Sequence, residues 1–190
     1  TCEAWRVRAV DIDSDGDPDI VAALGGCSEI AWYQNLGGGT FASKAVISDS
    51  AGEVVDVYAA DLDNDGDLDL ASGDIAFNLL AWFENLGGGA FGPGTIVDSD
   101  YNDVWVVRAA DLDNDGRMDL IAGSTLAKKV TWHRNLGAGT FGPQQLISDA
   151  TDRVHGVAIA DLNSDGRLDV ASSSYGDGKL AWYENLIAPV

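Results

Sequence analysis

Apolar residues in this chain cluster in short runs instead of recurring at helical spacing. Stretches such as VVRAADL (from Val106), MDLIAG (Met118), KVTWHRNL (Lys129) and TFGPQQLIS (Thr140) are six to nine residues long, and turns rich in Gly, Asp and Asn separate them. Short runs with such boundaries predict β-strands, since a buried helix needs roughly ten or more residues at 3.6-residue spacing. No stretch supplies that.

The strand pattern repeats with a period of 50 residues. An acidic segment begins at Asp11, Asp61, Asp111 and Asp161, and a second motif follows each time: AWYQNLGGGTF from Ala31, AWFENLGGGAF from Ala81, TWHRNLGAGTF from Thr131 and AWYENL from Ala181. Trp32, Trp82, Trp132 and Trp182 keep register, as do Asn35, Asn85, Asn135 and Asn185. Four short strands in a unit of this length predict a β-propeller blade. The expected fold is therefore all-β: one domain over residues 1–190, with blades of four antiparallel strands at about 1–50, 51–100, 101–150 and 151–190. The last unit stops before an outer strand like TFGPQQLIS, which predicts an exposed strand edge. That leaves three arrangements open: a small closed ring of four blades, part of a larger ring, or a strand donated by another chain to form an oligomer or filament.

Strand direction sorts the loops onto two faces. The acidic loop and the NLGGG turn share one face and are nearly identical between units. The opposite face carries LGGCSE from Leu24, DIAFNL from Asp74, STLAKK from Ser124 and SYGDGK from Ser174, which differ. Scaffold is expected on the uniform face and specificity on the variable one.

The acidic loops read D-x-D/N-x-D-G-x-x-D: Asp11, Asp13, Asp15, Asp19; Asp61, Asp63, Asp65, Asp69; Asp111, Asp113, Asp115, Asp119; Asp161, Asn163, Asp165, Asp169. Oxygen donors at alternate positions, with a glycine at the sharp turn, suit a hard cation taking six to eight oxygens, hence calcium and not zinc or copper. Position 7 is Asp17 and Asp67 in two loops but Arg117 and Arg167 in the others, so its contribution should be the backbone carbonyl. The loop is not an EF-hand, because the twelfth position holds Ala22, Ser72, Ala122 and Ser172 where a bidentate Glu would be needed. About four ions, one per blade, are expected. At millimolar calcium and a Kd of about 10⁻⁴ M each site adds about 1.4 kcal/mol by linkage.

Together these motifs resemble the FG-GAP/VCBS-type repeat, the blade of integrin α-subunit propellers and of many secreted bacterial, algal and fungal proteins. The resemblance covers almost the whole chain. It implies calcium held through positions 1, 3, 5, 7 (backbone) and 9, and a ring of about seven blades. Three features depart from it: Asn163 at position 3 of the last loop, the missing fourth strand of the last unit, and four units where about seven are usual.

Net charge is −20, with about half of the 31 acidic side chains in the four loops, which argues against nucleic acid and anionic membrane as partners. No apolar run is long enough to span a membrane. Cys2 and Cys27 fall opposite each other if the first hairpin turns at 11–19, because paired positions then sum to 29 or 30. A disulfide, and with it a secreted, extracellular location, is the expectation. The tryptophans at 32, 82, 132 and 182 read as blade-to-blade packing, and His133 as a substitute for the aromatic residues at 33, 83 and 183. Trp5, Trp105 and His155 share one position near the variable face, where the second unit has Val55. They, with Tyr101 and Tyr175, are the candidate ligand-binding residues, although burial at a central channel also accounts for such aromatics. Asp74, Asp98, Asp100, Asp103 and Asp177 are scattered carboxylates, and no nucleophile, base and orienter grouping is legible, so no enzyme is expected. The expected function is adhesion or binding of a protein or glycan. Membership of a carbohydrate-active enzyme and a structural, self-assembling role are the alternatives.

Overall fold

The computed structural model describes residues 2–187. Blade 1 comprises β1 (Arg6–Val10), β2 (Asp19–Leu24), β3 (Glu29–Tyr33) and β4 (Ala45–Ser48). Blade 2 comprises β5 (Val54–Ala60), β6 (Asp69–Asp74), β7 (Leu80–Phe83) and β8 (Thr95–Asp98). Blade 3 has β9 (Val106–Ala110), β10 (Asp119–Gly123) and β11 (Val130–His133), then a small hairpin of β12 (Asn135–Gly137) and β13 (Thr140–Phe141), then β14 (Gln145–Ser148). Blade 4 has β15 (Val154–Ala160), β16 (Asp169–Ser174) and β17 (Lys179–Tyr183). Each sheet is an antiparallel meander in chain order, and among the described residues the last has three strands, as its sequence predicts. The register Arg6↔Ala23 sums to 29, and the disulfide Cys2–Cys27 continues it with Cα atoms 5.0 Å apart.

The core lies between the blades. One cluster joins Ile12, Val21 and Ile30 of blade 1 to Val54, Val57 and Leu70 of blade 2; the next joins Leu62, Leu80 and Trp82 to Val104, Val107 and Leu120; the third joins Leu112, Ile121, Val130 and Trp132 to Val154, Val157 and Val170. A single blade is too thin to hold a large interior, so three of the four buried clusters lie at junctions, and the fourth, Ala22, Leu24 and Ala31, is small and lies within blade 1. Gly89 and Gly139 fit this plan closely: a Cβ there would run into the rings of Trp32 and Trp82 of the preceding blade. Trp32, Trp82 and Trp132 thus pack between blades, whereas Trp182 is about half exposed on the outer face of blade 4. Among the described residues the end faces of blades 1 and 4 carry uncovered apolar side chains, Val7 on one and Leu162, Leu180 and Trp182 on the other, so the four blades form an open arc.

Candidate functional sites on two faces

The uniform face is built from local hydrogen bonds that every blade repeats. Position 1 of each loop accepts main-chain N–H groups through both carboxylate oxygens, as Asp11 does from Asp15 (3.1 Å) and Gly16 (2.9 Å). Position 4 adopts the left-handed region at Ser14, Asn64, Asn114 and Ser164, and position 6 requires glycine, with φ from +85° to +101°. Position 9 closes the hairpin. Asp119 accepts the N–H of Leu112 (3.1 Å) on one oxygen and that of Asn135 (2.8 Å) on the other. At position 7 the N–H of Asp17, Asp67, Arg117 and Arg167 donates to the position-5 carboxylate. The Arg117 and Arg167 side chains turn back onto Asp115 and Asp165, away from the role of a ligand.

These turns gather carboxylates. Asp11, Asp13 and Asp15 offer oxygens within 4.8 Å of one another, as do Asp61, Asp63 and Asp69, and Asp111, Asp113 and Asp115. Burial, reinforced by neighbouring carboxylates, raises Asp13, Asp63 and Asp113 above the ordinary range. Burial also pushes Asp69 to about 6 and Asp119 to about 7. In the last blade the Asn185 N–H instead holds Asp169 below the usual range. Among the described residues, one oxygen each of Asp13 and Asp113 is buried without a hydrogen-bond partner, so the loops of blades 1 and 3 each hold an unsatisfied acceptor. The donor set fits a hard divalent cation: alternate oxygens, a shared turn and an unsatisfied acceptor. Neighbouring side chains tune the loops differently. Gln34 donates to Asp13 at 2.6 Å, while Arg134 lies 2.5 Å from Asp113 and 3.0 Å from Asp115, and Asn163 replaces a carboxylate in blade 4.

The recurring asparagine is a functional residue that its motif did not disclose. Asn85 Nδ2 donates to the Ile12 carbonyl (2.9 Å), Asn135 Nδ2 to that of Leu62 (2.7 Å) and Asn185 Nδ2 to that of Leu112 (2.7 Å). Each asparagine therefore reaches across a junction into the acidic loop of the preceding blade. Its regular recurrence was the available signal.

The variable face and the inner strands carry different chemistry in each blade. Val55 and His155 are the extra residues of β-bulges, where the register skips from Val54 to Asp56 and from Val154 to Gly156. Val55 is small and buried, which leaves Trp5 of blade 1 and Trp105 of blade 3 room to meet edge to face, 5.8 Å between centroids. Trp105 stacks on His155 at 4.8 Å, and His155 stacks on Tyr175 at 5.4 Å. Four of the five aromatic candidates thus form one row. Its ends are open to solvent, with Trp5 42% and Tyr175 72% exposed.

Tyr101 is corrected. It is 5% exposed, in the core between blades 2 and 3, with its hydroxyl 2.6 Å from Thr131 Oγ1 and 3.0 Å from His133 Nε2. A carbonyl can only accept, so His133 Nδ1 carries the proton donated to Gly142 O (3.0 Å), and Nε2 accepts from Tyr101. Burial lowers the His133 pKa and raises that of Tyr101.

The scattered carboxylates have separate local partners. Asp103 accepts from Ser124 Oγ and from the N–H groups of Thr125 and Leu126, Asp74 accepts from Phe77 N–H, Asp98 faces His133 at 3.4 Å, Asp100 donates its N–H to Asp98, and Asp177 pairs with Lys179.

Below the aromatic row, Asp56 is fully buried and binds three arginines: Arg6 (3.0 Å) and Arg8 (3.2 Å) of blade 1 and Arg108 (3.0 Å) of blade 3. Arg8 and Arg108 also lie over the Tyr58 ring, at 5.4 and 5.5 Å. Nothing in the repeat pattern pointed to this cluster, because the positions equivalent to Asp56 hold Arg6, Val106 and Gly156.

Comparison with solved structures places this arc beside larger proteins. An Agrocybe aegerita lectin, described for specific recognition of non-reducing terminal N-acetylglucosamine, is 25% identical with a TM-score of 0.63; the match covers 95% of this chain and 52% of the lectin chain. The Photorhabdus luminescens Tc holotoxin pore matches at 22% identity and TM-score 0.57 over 97% of this chain and 9% of its own. The Vibrio cholerae biofilm matrix protein Bap1 matches at 18% and 0.50 over 96% and 30%. The chain thus spans about half of the lectin and less of the others. No curated protein sequence matches the chain, and among the described residues no helix is long and apolar enough to cross a membrane. The model of the FG-GAP-like repeat matches residues 5–72, 73–122 and 111–172, and the chain belongs to that repeat family.

Proposed function

We propose that this chain is a secreted, calcium-stabilised propeller module that binds glycan through its variable face. The observation carrying this reading is the row Trp5, Trp105, His155 and Tyr175, in which residues from blades 1, 3 and 4 form one aromatic surface with exposed ends. Aromatic faces stack on the apolar C–H faces of sugar rings at little conformational cost. The N-acetylglucosamine-binding lectin of similar fold supports the same ligand class. Calcium would be held by the carboxylates at positions 1, 3, 5 and 9 with the position-7 carbonyl, and would neutralise charge that otherwise repels across each turn. The residues themselves set the turn, and position 9 ties it to the following motif. The disulfide supports an oxidising, extracellular setting.

A glycan array probed in calcium, including N-acetylglucosamine-terminated ligands, tests the proposal. Binding should fall at least tenfold in Trp5→Ala and Tyr175→Ala while the melting temperature moves by only a few degrees. Silence across the array, or binding indifferent to both substitutions, would overturn it.

A further inference from the structure

The three internal junctions share one set of contacts. On the leading side of each junction, loop position 2 (Ile12, Leu62, Leu112) and the start of the third strand (Ile30, Leu80, Val130) are buried beneath the following blade. From the following blade come a buried inner-strand valine (Val57, Val107, Val157), the asparagine that bonds the position-2 carbonyl, and, at the first two junctions, the glycine under the tryptophan ring. Both halves of this joint recur at the ends of the arc, unpaired. Blade 4 presents Leu162 (53% exposed), Leu180 (83%) and Trp182 (51%), where their counterparts are buried or, at Trp32, half-buried. Blade 1 presents Val7 (56% exposed), and Gly39 has no described atom near enough to touch a Cβ, where Gly89 and Gly139 each hold an indole. Among the described residues Asn35 Nδ2 makes one bond, to Pro18 O in its own blade, whereas Asn85 and Asn135 each make the equivalent bond, to Leu68 O and Met118 O, and the cross-junction bond as well.

We propose that the blade-4 face of one copy takes the blade-1 face of a second copy, reproducing the internal junction between chains. The occupant is a second copy because its blade 1 offers the residue types that blades 2 and 3 offer at the joints already formed. The contact is heterologous, with two different surfaces, so two copies close a ring by using it twice. A two-copy ring is the smallest assembly that leaves no end face unpaired. This joint uses blade faces; it is distinct from strand donation at the β17 edge and does not depend on glycan binding.

Sedimentation velocity of the full chain in calcium tests it. The expected species has twice the monomer mass at micromolar concentration. Leu180→Asp on one face and Val7→Glu on the other should each shift the protein to a folded monomer, with the wild-type circular-dichroism spectrum and a lower melting temperature because the joint no longer adds its stabilisation. Mixing the two variants should restore a two-chain species, because the mixture regains one intact pair of faces. A wild-type monomer, a filament, or a Val7→Glu variant that remains paired through two blade-4 faces would each overturn the proposal.

Discussion

The two faces of the arc solve different problems with the same strands. On the acidic face every blade repeats the same hydrogen bonds almost atom for atom, from position 1 to its turn and from position 9 to the asparagine motif. On the variable face, equivalent positions hold Trp5, Val55, Trp105 and His155, and contacts skip a blade, as Trp5 does in meeting Trp105. A contact made with the backbone of the same hairpin survives duplication unchanged. One made between side chains of non-adjacent blades depends on what the blade between them lacks, so it is free to diverge. The acidic face carries what every blade shares, and the variable face what distinguishes one blade from another.

Metal removal should have the largest effect, and it should fall on the acidic face. The four proposed calcium sites, at about 1.4 kcal/mol each, would sum to roughly 5 to 6 kcal/mol, which for a chain of this size is on the order of 10 to 20 °C in melting temperature. A thermal melt in excess chelator measures it, and an unmoved transition would refute calcium stabilisation of the uniform face. Next comes Asp56→Ala, which strands three arginines in the inner layer. A loss of about 3 to 5 kcal/mol in denaturant unfolding is expected, and a change below 1 kcal/mol would show that the cluster is dispensable.

The asparagines sharpen the contrast between repetition and context. Asn135→Ala removes a buried cross-junction bond and should cost about 2 to 4 kcal/mol. Asn35→Ala alters the same motif where that junction bond is not made within the chain, and should cost about half as much under conditions that keep the chain monomeric. Equal costs would mean that the asparagine acts only inside its own blade.

The smallest effect is a pH slope. His133 is held neutral with its pKa below the ordinary value by burial. The unfolded chain therefore binds more protons below about pH 6.5, so the stabilisation is complete above that pH and is lost as pH falls toward the folded pKa, at up to about 1.4 kcal/mol per pH unit. His133→Phe should flatten the stability profile between pH 6.5 and 5; an unchanged slope would place the effect elsewhere.

Much of this was legible because it is local and repeated. The 50-residue period shows in the recurrence of whole units, and the acidic loop and the Cys2–Cys27 register follow from spacing along one hairpin. Tyr101 misled because it lies in the connector into blade 3, and loop position alone does not show that its ring folds inward against Thr131 and His133. The aromatic candidates could be named but not joined, since their row depends on a bulge and on a valine in the blade between. The tryptophan rule was right about chemistry and incomplete about partners: a tryptophan is buried by the blade after it, so Trp182 follows the rule and still faces solvent.

The asparagine clasp spans 73 residues at every junction where it occurs. A segment inserted into the scaffold between two clasped groups would put both neighbouring joints out of step, whereas adding one whole unit keeps every clasp in phase. The fold therefore counts its own repeats. Length can change in whole blades or in the variable loops, and the joint itself proofreads which changes the chain tolerates.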